Sequence, residues 1–418
     1  MSSIFYKKKY LKYKMKYLNL KNNLSDKRGG FNMDKLSEYT GTKISGPVSC
    51  TRYKIKDGEY VKDIYLFGEQ HNIQGNFCDE EFIEIQDYLY DLFKNNKSKL
   101  IDFFLETDKE ESEFSMDFDE NEHYIAKIKS KFKDCILDES LNACPFNKIR
   151  FHKVDIRFRS LDIPYLKEVD KCFFLLDLND KLPEESKIFP ENFNQVKENL
   201  IQKDEKFYNT LPQIYNFCKN AIYPIINASN VCLFFRYSEL LDTTNIVSKE
   251  ISKSGRYSDD IIKFSKKQIW EIISSDLPEL MDIFYENRNY LENEEQFKIL
   301  IGINYNNILE AIIDAMQMII SLSSVIMDSY LLSRMLKEKF SIEESSDKYK
   351  SNEEKYGPEH IYIKNIIVYA GESHCQNYIK FLDEMGFNKT VIKSGPTWEE
   401  LNNFSANNCI ELNSPLFS

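Results

Sequence analysis

The sequence predicts an α/β fold: a mainly parallel sheet flanked by helices, with a large helical insertion. Three observations predict it. Short apolar runs such as Ile64–Phe67 and Ile366–Ala370 end at glycine and do not alternate with polar residues, as strands covered on both faces do. Stretches of helical periodicity fill the spaces between them. The motif Gly-Glu-x-His follows two of the runs, as Gly68-Glu69-Gln70-His71 and Gly371-Glu372-Ser373-His374. With 13 glycines and five histidines in 418 residues, chance places well under one such match.

The elements follow in order. Residues 1–30 form a basic Lys/Tyr-rich leader closing at Gly29-Gly30, a linker. Tyr6, Tyr10, Tyr13 and Tyr17 share one face of a helix and lysines surround them. Residues 40–160 are the first part of the α/β domain, with strands at 62–67, 99–105 and 151–156 and a helix over 78–95 capped by Asp79. Residues 109–122 read as an acidic loop. Residues 161–305 are mostly helical, and 306–400 complete the α/β domain. That second part holds a long helix over 306–338, a charged loop over 342–358, a strand over 361–369, a helix over 374–385 and an edge strand at Thr390-Val391-Ile392. The most apolar part of the long helix, Ala315 to Met327, is short for a membrane span and contains Gln317, so a buried core helix and no transmembrane segment are expected. Residues 401–418 read as a polar tail.

Composition narrows the function classes. Few glycines and prolines argue against a β-sandwich or a disordered chain. Residues 1–30 carry nine Lys/Arg and one Asp, while the whole chain has a net charge of −12, so the body is acidic and a poor partner for nucleic acid. The leader is either a solvated helix or a docking helix for an anionic surface or a virion component. Nine scattered cysteines without a C-x-x-C spacing, and with no secretory signal, read as reduced thiols.

The candidate site gathers at strand ends, where open α/β sheets place their ligands. Glu69 with His71, and Glu372 with His374, supply two carboxylates and two imidazoles. Such a set can hold a divalent metal or do general acid–base work without one. Glu106 ends the strand Phe103-Phe104-Leu105. Asp155 and Arg157 share one strand face at period two, and Arg334 lies on the long helix. Taken singly, each of these charges reads as a salt bridge. Arginine in a cleft suits a carboxylate or an oxyanion. His123 and His152 stand in unpatterned contexts and read as structural or solvated, and Gly357-Pro358-Glu359-His360 reads as a loop ahead of a strand.

This arrangement resembles the TIKI/TraB/ChaN/erythromycin-esterase-like superfamily over about residues 60–160 and 305–395. The Gly-Glu-x-His form is nearest the ChaN-like, haem-uptake branch. The resemblance implies roles in catalysis for Glu69, His71, Glu106, Asp155, Glu372 and His374. Metal ligation would fall to Glu69, His71, Glu372 and His374, and substrate binding to Arg157 and Arg334. It implies a hydrolase of ester or peptide bonds acting on a small-molecule or peptide substrate, with a divalent metal, or with haem as the alternative cofactor. A non-catalytic virion or host-interaction protein is the other reading. The leader separately resembles the short Lys/Tyr-rich leaders of giant-virus proteins of the mimivirus type, which implies a protein of the host cytoplasm or the virion.

The leader's charge is opposite to that of the body, and a Gly-Gly linker follows it. Deleting residues 1–30 is therefore expected to move the melting temperature by less than about 2 °C, read by differential scanning calorimetry; a larger loss would place the leader in the core.

Overall fold

The computed structural model describes residues 41–57, 60–70, 78, 81–108, 124–136, 144–146, 148–157, 161–172, 205–303, 305–339, 361–397, 407–414, 416 and 417. The predicted α/β class is found. Nine strands are present among these residues: β1 (Thr42–Ser45), β2 (Ser49–Asp57), β3 (Tyr60–Glu69), β4 (Ile83–Glu84), β5 (Ile101–Asp108), β6 (Ile149–Asp155), β7 (Asn365–Gly371), β8 (Asn388–Lys393) and β9 (Cys409–Leu412). The chain divides into two compact units.

The sheet unit holds all nine strands. Six form one sheet in the order β6-β5-β7-β3-β2-β8. β6, β5, β7 and β3 run parallel, and β2 and β8 add antiparallel pairings at one side. A smaller sheet has the order β4-β1-β9. Side chains alternate between the faces of the large sheet. Tyr65, Phe67, Phe103, Leu105, Ile367 and Tyr369 enter one core, where Tyr88, Leu89 and Phe93 of the helix Ile85–Asn95 and Ile125 and Ile128 of the helix Tyr124–Lys131 meet them. Phe93 stands 5.4 Å from Phe103 and 5.5 Å from Phe132, ring centre to ring centre, a spacing that favours edge-on aromatic contact.

The helix Glu372–Glu384 covers the other face. Tyr53 on β2 donates a 2.6 Å hydrogen bond to Asp383 near that helix's end. On the same face Lys62, 1% exposed, donates to the carbonyls of Met335, Leu336 and Lys337 at 3.1, 3.0 and 2.5 Å. A cation is thus spent on the carbonyl end of the helix Tyr305–Leu336, where the backbone dipole and the orphan acceptors both favour it. With both faces covered, the central strands show unbroken apolar runs, as the sequence led one to expect.

The helical unit comprises Arg157–Ser252 and Asp259–Ser329. It includes the helices Glu205–Phe217 and Asn230–Asp242, the latter capped by Ser229, whose side chain accepts from the Cys232 amide. Most of the helix Ser258–Glu286 belongs to it, and Ser265 and Ser329 are hydrogen-bonded at 2.6 Å. The segment Ile308–Leu336 is longer than the apolar core read from the sequence. By length and composition (mean hydropathy 1.6) it could cross a membrane, and 67% of its most apolar window is buried within the protein.

Four expectations need revision. The helix read as 78–95 begins at Ile85, because Ile83 and Glu84 extend to pair with Ile44 and Ser45 of β1; Asp79 lies outside the described residues. β1 and β2 precede the first strand read from the sequence. Four of the nine cysteines are paired, Cys78 with Cys409 and Cys135 with Cys144, at Cα separations of 5.1 and 4.4 Å. Proximity in the fold decides disulfide pairing, and a separation of 331 residues in sequence conceals the first of them. The polar tail carries β9 and four buried apolar side chains, Ile410, Leu412, Leu416 and Phe417. The leader, the acidic loop at 109–122 and the loop at 342–358 lie outside the described residues.

Phe417 meets the Tyr65 ring edge-on at 5.0 Å, and its amide donates to the Tyr65 hydroxyl. Each buried side chain of the C-terminal segment contributes about 1.5–3 kcal/mol. A chain ending at residue 406 is expected to lose at least about 6 kcal/mol in urea unfolding; a loss under about 2 kcal/mol would show that the segment is not part of the core.

Candidate functional site

The two motifs meet at one edge of the sheet. β3 and β7 are hydrogen-bonded parallel neighbours, with Gly68 opposite Ala370 and Glu69 opposite Gly371. β5 lies on the other side of β7. The carboxyl ends of three parallel strands therefore converge, the place at which sheets of this kind bind ligands.

Glu106 and His374 form the centre of this edge. Oε2 of Glu106 accepts a 2.7 Å hydrogen bond from the Gly371 amide, and Oε1 lies 3.2 Å from Nε2 of His374. Gly371 caps the helix Glu372–Glu384, so the carboxylate sits where a helix start favours negative charge. Both side chains are buried. A neutral ring with its proton on Nε2 would present that proton to Glu106 and keep Nδ1 as its basic nitrogen.

Glu372, Arg157 and Arg334 have hydrogen-bond partners of their own. Glu372 receives hydrogen bonds from the Ser49 hydroxyl and the Gln376 amide. Burial raises its pKa, while Ser49, Gln376 and the charge of Lys393 pull it down. Alternation along β3 turns Glu69 toward Tyr65 and Phe67. Burial, and next the Glu69 charge, push the Tyr369 phenol well above its ordinary value. Asp155 ends β6 opposite Asp108. Arg157 donates to the Ser324 hydroxyl at 3.3 Å within the helical unit. Arg334 contacts Nδ1 of His152 at 3.2 Å and the Tyr330 hydroxyl at 3.3 Å. His71 and His123 lie outside the described residues. Among the described residues no group of three or more His, Cys, Asp or Glu side chains could hold a metal ion.

A second polar cluster went unread in the sequence. Asp102, fully buried at the start of β5, accepts from Arg150 through both oxygens at 2.7 and 2.6 Å, and Oδ1 is 2.7 Å from Nε2 of His152. The His152 ring stacks on Phe104 at 4.5 Å. Arg334 can only donate, so Nδ1 of His152 accepts and the ring proton sits on Nε2, shared with Asp102. Burial would raise the Asp102 pKa, but Arg150 and His152 outweigh it and hold it low. One signal was available: Asp102, Phe104 and Glu106 are consecutive same-face positions of β5, and a charge inside so apolar a strand calls for partners.

No family model matches the chain, and no solved structure matches it. It is similar to two proteins of Acanthamoeba polyphaga mimivirus. The first, "Uncharacterized protein R160", is 30% identical over 128 residues, which cover 28% of this chain and 30% of that protein. The second, "Uncharacterized protein R161", is 25% identical over 230 residues, 51% of each chain. The match thus spans about half of one relative and less of the other. These similarities support a giant-virus origin.

The Asp102 cluster has a measurable pH signature. Burial pushes the His152 imidazole down to about 4, with Asp102 opposing and Arg334 and Arg150 adding to the shift. The unfolded chain, with an ordinary histidine near 6.5, then binds the extra proton first. Stability contributed by this residue falls as pH drops from about 6.5 to about 4, by roughly 3 kcal/mol at most, and levels off below that. In a His152→Phe protein, urea unfolding across this window should lose that part of the slope; an unchanged slope would show that His152 titrates normally.

Proposed function

We propose that this protein is a hydrolase of the TIKI/ChaN-like kind, acting on ester or peptide bonds, with His374 as its general base and acid. The observation that carries the reading is the buried Glu106–His374 pair at the carboxyl ends of β5 and β7. Glu106 holds the ring in one tautomer and stabilises the imidazolium that forms when Nδ1 takes a proton from water or a hydroxyl. The same proton is then returned to the leaving group. His71, from the first motif, would complete the site, and a divalent ion held by the two histidines is the metal-dependent form of the proposal. Glu372, oriented by Ser49 and Gln376, supports the helix start that carries His374. The similarity to mimivirus proteins and the basic leader support action in the host cytoplasm or within the virion.

The test pairs metal analysis of the purified protein with a panel of ester and peptide substrates. His374→Ala and Glu106→Gln are each expected to lower turnover by about 100-fold or more with circular dichroism unchanged. The two changes together should cost little more than either alone, since the pair acts as a unit. Wild-type protein that cleaves nothing and carries no metal would end the hydrolase reading and favour an interaction protein.

A further inference from the structure

We infer that Glu372 is a positioning residue: its carboxyl group wedges into the space left by Gly68 and Gly395 and so locks the second motif onto the first. This rests on the functional reading above for its consequence, and not for its geometry. A Cβ at position 68 would lie 1.8 Å from Oε2 of Glu372 and 2.6 Å from the Ser49 hydroxyl. A Cβ at position 395 would lie 2.2 Å from Oε1 of Glu372 and 2.3 Å from the Gln376 amide nitrogen. A side chain at either position would force the Glu372 carboxyl group, and at 395 also the Gln376 amide, to move from its hydrogen-bonded place.

The backbone gives no other reason for these two glycines. Neither adopts the positive φ that marks Gly41, Gly46, Gly255 and Gly386. The space a side chain would need at either glycine is filled by the Glu372 carboxyl group. The glycine of the first motif is therefore explained by the glutamate of the second.

The wedge bears directly on His374. Glu372 is the first residue of the helix and His374 stands in its first turn. Ser49 on β2 anchors one oxygen of Glu372, and Gln376, one turn on, donates to the other. On the opposite side Glu106 receives the Gly371 amide and faces the His374 ring. Two carboxylates thus grip the same strand-to-helix turn, Glu106 from β5 and Glu372 against β2 and β3. Each oxygen of Glu372 thus has a protein donor that fixes its orientation.

The test is a double-mutant cycle with a spectroscopic readout, made on the full chain. Gly68→Ala alone is expected to lower Tm by roughly 4 °C or more, and in a Glu372→Ser background to lower it by less than about 1 °C. The His374 ring N–H proton resonance, assigned by its loss in Glu106→Gln, should also be lost or broadened in Glu372→Ser and preserved in Glu372→Gln. Should Glu372→Ser not fold, Ser49→Ala takes its place in the spectroscopic arm, and Gly68→Ala measured with the shorter Glu372→Asp replaces the cycle. Additive Tm effects, or a His374 signal indifferent to Glu372 and Ser49, would overturn the inference. So would Glu372→Gln that abolishes turnover with the His374 signal intact, since Glu372 would then act on the reacting atoms. None of the Tm and resonance arms needs a substrate. An inactive wild-type protein that still shows the coupling would refute the hydrolase reading alone.

Discussion

β7 is hydrogen-bonded along both edges, to β5 as far as Tyr369 and to β3 as far as Gly371, so the strand cannot shift without breaking two ladders. Everything at the candidate site is measured from that strand. Gly371 offers its amide to Glu106, the helix begins one residue later, and His374 is delivered to the strand-end acid within one turn. A strand at an edge of the sheet could not hold a histidine so tightly, because edge strands have half the backbone bonds and more freedom to twist. The large core on one face and the helix Glu372–Glu384 on the other bury the arrangement, which strengthens each charge–dipole contact inside it.

The twin motifs look equivalent in sequence and are not equivalent in space. Glu69 and Glu372 occupy the same motif position, yet Glu69 turns toward the core side beside Tyr369 while Glu372 starts a helix and reaches back over Gly68. The difference follows from what comes next in the chain and from a one-residue offset in register, Glu69 lying opposite Gly371. A repeated sequence pattern here marks two halves of one contact more than two copies of one tool.

β3, β5, β7 and the Tyr305–Leu336 helix were legible because buried apolar runs and helical periodicity are local signals, and Glu106 was legible because it ends such a run. β2 was missed although Cys50, Tyr53 and Ile55 are buried, since Arg52, Lys54 and Lys56 break its apolar run. β9 has only four residues, Cys-Ile-Glu-Leu, too few to show a period. His152 was set aside because its partners lie on other elements: Asp102 on β5 and Arg334 on the long helix. Sequence offers Arg157 or Arg334 as a substrate-binding cation but not their protein partners, which are the Ser324 hydroxyl for Arg157 and His152 and Tyr330 for Arg334. What sequence cannot show is which distant residue will fill a given space, and the glycine at 68 is the clearest instance.

The position of β7 also sets an order of assembly. β3 and β5 leave the ribosome early, each with an apolar edge awaiting the same strand, and the helical unit must be made before Asn365 appears. At about 5–20 residues per second, the chain from residue 156 to residue 365 takes roughly 10–40 s to synthesise. For that interval the nascent protein carries two unsatisfied strand edges facing a gap of one strand's width, a template for pairing with a neighbouring chain. The helical unit, rich in local contacts, can fold meanwhile. One of the two middle strands of the sheet is made after all its other strands except β8, which leaves the nascent protein exposed to mispairing late in its synthesis.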